Sequence, residues 1–165
     1  MKILLLQIFL LTGFSTSFAQ VSCNIKKAYA FYNASMPGVQ MVDENGNPIP
    51  VLPLYTRFIY AEYSSAKMPD IKAVIYNNEA LSFTITGIKE RTVSIGDKNL
   101  NPNNTITAKK GSTFLKIDLY PKDGKTMAET DYKNIIIKYK SAGKLCKFNL
   151  NFEKQFNTLP RYWLF

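Results

Sequence analysis

Histidine is absent from all 165 residues, which removes the usual general base at neutral pH, the serine–histidine triads and most catalytic zinc sites. Acid–base chemistry would fall to carboxylates, lysine or tyrosine. Glu62 and Glu90, at the ends of alternating segments, are the acids best placed for the paired-carboxylate hydrolysis of a glycosidic bond. Asp43, Glu44, Asp70, Asp97, Asp123 and Asp131 instead stand beside turns or on wet strand faces. A carboxylate-dependent glycan hydrolase is therefore the one enzymatic alternative, and no catalytic residue is assigned. Ser64-Ser65-Ala66-Lys67 has the Ser-x-x-Lys spacing of penicillin-binding enzymes, in which a helix lays the amine on the hydroxyl. The same spacing recurs at Ser141-Ala142-Gly143-Lys144, where a hairpin turn fits better, and the accompanying Lys-Thr-Gly element is missing. The match is set aside. From Asp97 to Asn103, oxygen-bearing side chains occupy alternate positions, as in a calcium loop. Pro102 stands where such a loop needs Gly and Ala108 where it needs a bidentate Glu. The stretch reads as a polar turn, with no metal and no other cofactor expected.

Binding chemistry is better supplied. Ten tyrosines and eleven phenylalanines offer flat rings of the kind that stack on sugar faces. Tyr55, Tyr60, Tyr63 and Tyr76 are the candidate aromatic surface, with Tyr120 also expected on an outward face. The competing reading makes these rings strand formers that fill a core. The chain ends Leu159-Pro160-Arg161-Tyr162-Trp163-Leu164-Phe165, where most termini are polar. Tyr162, Trp163 and Phe165 either cover one end of the fold or form a docking tail. Lysines at 26, 27, 109, 110, 116, 138, 140, 144 and 147 alternate with apolar residues or flank turns, where charge keeps strand edges from pairing with other chains. A nucleic-acid site would cluster arginines with exposed aromatics, and Arg57, Arg91 and Arg161 are dispersed. Nucleic acid is not an expected partner.

Elements that could position these residues announce themselves by period-two alternation, the pattern of strands with one wet and one buried face. Leu54, Thr56, Phe58 and Tyr60 alternate with Tyr55, Arg57, Ile59 and Ala61. The same holds for Leu81 to Thr86, Leu115 to Tyr120 and Cys146 to Phe152. Less regular strands are expected from Ile25 to Tyr32, Ile71 to Asn77, Thr92 to Ile95, Thr105 to Lys109 and Asn134 to Tyr139. Asn45-Gly46-Asn47-Pro48, Asn77-Asn78, Gly96-Asp97, Lys110-Gly111, Asp123-Gly124 and Ala142-Gly143 supply turn chemistry between them. Short strands at such spacing predict an all-β fold, two packed antiparallel sheets in a β-sandwich. From Asp131 to Phe152, with Tyr132 ahead of Ile135-Ile136-Ile137 and a turn at 141–144, the chain resembles the closing hairpin of immunoglobulin-like and fibronectin-type sandwiches. The resemblance implies topology alone, because the cysteine–tryptophan–cysteine pattern of immunoglobulin domains is absent.

Lys2, the apolar run Ile3 to Leu11 broken only by Gln7, and Ser17-Phe18-Ala19 before Gln20 follow the order of a secretory signal peptide. A run of roughly ten residues is half of the roughly twenty needed to span a bilayer. Residues 1–19 are read as a leader and 20–165 as one domain, periplasmic or secreted, with no transmembrane segment. Cys23 and Cys146 would then meet an oxidising compartment and pair, closing a loop whose entropy is worth roughly 4 to 5 kcal/mol. Lipid attachment at Cys23 is the alternative, but Gln20-Val21-Ser22 lacks the Leu expected three residues before such a cysteine. The net charge of +9, nearly all lysine, favours salt-sensitive attraction to polyanions. In its Lys, Asn and Ile usage and its leader, the chain is similar to small exported proteins of Bacteroidota, a resemblance that implies no function. The sequence as a whole points to an exported, non-enzymatic binding domain whose ligand is an envelope or extracellular protein or polysaccharide. A structural component pairing through a sheet edge is the alternative.

Overall fold

Every expected strand forms in the computed structural model, which describes residues 23–35, 42–49, 53–64, 67–96, 104–123, 127 and 134–156. The leader 1–19, the 97–103 loop, Ser65, Ala66, Tyr132 and the tail with Tyr162, Trp163 and Phe165 lie outside them. The strands are β1 (Ile25–Ser35), β2 (Leu54–Tyr63), β3 (Asp70–Tyr76), β4 (Glu79–Ile88), β5 (Thr92–Ser94), β6 (Thr105–Thr107), β7 (Thr113–Tyr120), β8 (Ile135–Ser141), β9 (Lys144–Leu150) and β10 (Lys154–Gln155). Two of the turns carry positive φ at both central residues, 43° and 72° at Asn77-Asn78 and 47° and 83° at Ala142-Gly143. Such mirror-image turns match the right-handed twist of the strands they join.

Eight strands form one sheet in the order β10-β1-β2-β7-β4-β3-β8-β9, and β5 pairs with β6 in a separate ribbon. The sheet folds over at β4. Glu79 to Leu81 pair with β3, and Ser82 to Ile88 pair with β7, so one strand belongs to both halves. The expectation of two separate sheets is therefore replaced by one continuous curled ladder, and immunoglobulin-like topology is a finer description than this ladder supports. The antiparallel expectation needs one correction, since β10 runs parallel to β1 through Phe31↔Lys154 and Tyr32↔Gln155.

Successive residues of a strand face opposite sides of its sheet, and both sides of the middle strands are covered. On the inner side, Ile59 and Ala61 of β2, Leu115 and Ile117 of β7, Val74 and Tyr76 of β3 and Ile137 and Tyr139 of β8 form the main core. On the opposite side, Phe31, Phe58, Tyr60 and Phe114 pack beneath Ile95, Ile106 and Ala108 of the ribbon region. At about 1.5–3 kcal/mol for each large side chain removed from water, both layers hold the curl. The second layer fixes the ribbon against the outer wall of β1.

Candidate functional site

The curl returns β9 to the flank of β1, and the two meet at both ends. At one end the sulfurs of Cys23 and Cys146 lie 2.03 Å apart, with their Cα atoms at 5.9 Å. The cysteines therefore form the pair read from the sequence, which occupies the sulfur that a lipid would take. At the other end β10 pairs with β1, and the Phe156 N–H donates to the Tyr32 carbonyl at 2.7 Å. The stretches 23–31 and 146–154 thus run side by side in the same direction and are equal in length. Between those ends they make no ladder.

Register shows which backbone groups the gap leaves open. Because the Tyr32 carbonyl points to β10, Ala28 and Ala30 turn their amides to the same side, away from β2. On the facing wall, the two-residue turn makes Ser141↔Lys144 the first hydrogen-bonded pair of the β8–β9 hairpin. Cys146, Phe148 and Leu150 therefore bond to β8, and Lys147 and Asn149 turn their amides outward. The result is a groove of about 820 Å³ between β1, β9, β10 and β6, within the range of about 300–1,000 Å³ typical of ligand sites.

Three kinds of side chain line it. Tyr29, Phe148 and Phe152 offer rings, and Phe152, 62% exposed, is the most open of them. Asn104, Asn149, Asn151 and Gln155 offer side-chain amides, each with donors and an acceptor. Lys26, Lys27 and Lys154 supply positive charge, and the Lys154 Nζ stands 5.9 Å from the Phe152 ring centre. A bend at Asn151 separates β9 from β10. Just beyond it, Glu153 turns inward to meet Arg57 at 3.2 Å, their side chains only 6% and 1% exposed. This buried ion pair pins the far end of the groove.

The expected aromatic surface does not assemble. Tyr76 is wholly buried and Tyr63 nearly so, both in the inner core, and Tyr60 is covered by the ribbon on the other side. Their outward placement is corrected: alternation assigns a side of the sheet but not whether that side is covered. Tyr55 is half-buried at a second hollow of about 380 Å³, with the Arg57 guanidinium 5.8 Å from its ring centre. Tyr120, exposed, borders the same hollow beside the Lys116–Asp118 ion pair. Burial raises the Tyr60 hydroxyl above the ordinary tyrosine range, Lys116 opposing and Asp118 adding to the shift. Tyr139 is raised likewise by burial, although the Ile25 N–H donates to its oxygen.

Glu62 is buried, and its Oε1 accepts the Lys109 N–H at 3.0 Å, whereas Glu90 is exposed. Ser141 to Lys144 form a hairpin turn, not the helix that Ser-x-x-Lys chemistry needs. Among the described residues no group of three or more cysteines, aspartates or glutamates is placed to hold a metal. Sequence reasoning missed the groove because Asn149 and Asn151 read as the wet face of β9. The available signal was the apolar–amide alternation Phe148-Asn149-Leu150-Asn151-Phe152, with Lys154 following after Glu153. No protein-family model matches this chain, and neither a curated protein nor a solved structure shows significant similarity to it.

Proposed function

We propose that the chain is an exported, non-enzymatic binding domain that holds an extended polysaccharide in the groove between β1 and β9. The observation that carries this reading is the slit itself, where two strands joined at both ends part to expose rings, amides and open backbone groups. Side-chain amides that donate and accept at once suit neighbouring hydroxyls, and an exposed ring suits the apolar face of a sugar. Export is supported by the leader-like order of residues 1–19 and by a cysteine pair compatible with an oxidising compartment. No helix among the described residues is long and apolar enough to cross a membrane. We read the curled sheet, its halves packed across the inner core, as a sandwich.

Strand addition by a protein partner is the second reading, favoured by the open amides of Ala28 and Ala30. To reach those amides a strand must enter the plane of the sheet, where the closed ends restrict it to a short piece, whereas a sugar chain held by side chains lies over the open face of the groove. Retention of the protein on insoluble polysaccharides, compared with that of Phe152→Ala and Asn149→Ala variants, tests the proposal. Retention lost in the variants at unchanged melting temperature, with the polysaccharide recovered uncut, is the expected result. Retention unaffected by both changes, or soluble fragments released from the polymer, overturns it.

A further inference from the structure

We infer that the polysaccharide is polyanionic, its carboxylate or sulfate groups held by Lys26 and Lys27 on one wall of the groove and Lys154 on the other; this rests on the groove reading above. The lining contains these three cations and no carboxylate. On other strands Lys72 pairs with Asp70 and Lys116 with Asp118, whereas Lys138, Lys140, Lys144 and Lys147 make no ion pair among the described residues. What sets the groove lysines apart is that they converge on one concavity. Lys26, Lys27 and Lys154 make no ion pair among the described residues.

The acids beside them in the chain and across the ladder are engaged elsewhere. Glu153, next to Lys154 in the chain, points inward to Arg57. Glu62, across the ladder from Lys27, is buried and engaged by the Lys109 N–H. Three cations without an ion-pair partner around one concavity repel each other and raise the local potential. An anionic chain lying along the slit relieves that repulsion on both walls, while Phe152 and the asparagines take its neutral ring faces and hydroxyls. Lys154 stands close to the Phe152 ring, so one sugar can stack and present its acidic group to the same corner.

Calorimetric titration of the full chain with polygalacturonate, dextran sulfate and neutral dextran tests this. One variant carries Lys26→Gln, Lys27→Gln and Lys154→Gln; a control carries Lys89→Gln, Lys110→Gln and Lys140→Gln, an equal loss of charge from exposed positions outside the groove. An affinity for a charged polymer that falls about tenfold or more in the groove variant and less than about twofold in the control supports the inference, as does weakening with added salt. The stronger of the two charged ligands separates carboxylate from sulfate recognition. Equal binding of neutral dextran, or equal losses in variant and control, overturns the polyanion inference and leaves the groove reading standing. Binding by none of the three polymers, or binding indifferent to Phe152→Ala, overturns the groove reading as well.

Discussion

Arg57 and Glu153 place opposite charges almost wholly out of water, 3.2 Å apart, at the closed end of the groove. Removing one partner of such a pair leaves a buried charge uncompensated, which costs about 3–5 kcal/mol. Glu153→Ala is expected to destabilise the fold by that order in chemical denaturation, whereas a surface change such as Lys140→Ala shifts it little. Tyr60 and Tyr139 link stability to alkaline pH. Burial raises both hydroxyls above their unfolded range, so their contribution is complete below about pH 10 and is lost as pH rises through the folded values. Unfolding midpoints measured from about pH 8 to 12 are expected to fall above about pH 10, and less steeply in Tyr60→Phe. At this scale the sequence was least legible. Tyr63 and Tyr76 have the same residue type and alternation as a truly outward tyrosine such as Tyr120, and only the far side of the sheet distinguishes them. Phe58-Ile59-Tyr60-Ala61, apolar without a break, was the sign that β2 is covered on both faces.

Among the elements, the β8–β9 hairpin forms one wall of the groove and turns through Ala142 at φ 47°. An alanine in that left-handed region is strained by roughly 1 kcal/mol, and Asn-Gly is the preferred pair for this turn. Ala142→Asn is expected to stabilise the protein by about 0.5–1 kcal/mol, read as a higher denaturation midpoint; unchanged or lower stability would contradict the turn geometry. The ribbon β5–β6 covers the outer core through Ile106. Ile106→Ala should cost about 2–4 kcal/mol and, by loosening the ribbon beside Asn104, weaken ligand retention too. Strands and their turns were legible because alternation and Asn/Gly signals act locally. β10 was not, since its two residues, Lys154 and Gln155, carry no pattern of their own and pair only because the curl brings β1 within reach.

For the whole molecule, the Cys23–Cys146 link ties the start of β1 to β9 across a separation of 123 residues. The cysteine count made the pairing legible; the curl that lays the two strands side by side depends on β4 changing partners midway, which no local pattern states. Replacing both cysteines by serine should cost about 2–5 kcal/mol and free one end of the slit. The central claim is that the ligand lies between β1 and β9. Amide hydrogen exchange along the chain, with and without polygalacturonate oligomers, tests it most directly. The account predicts slowed exchange at residues 28–30 and 149–154, with the hollow around Tyr55 and Tyr120 unchanged. Protection confined to that hollow, or absent from both walls of the groove, would contradict it.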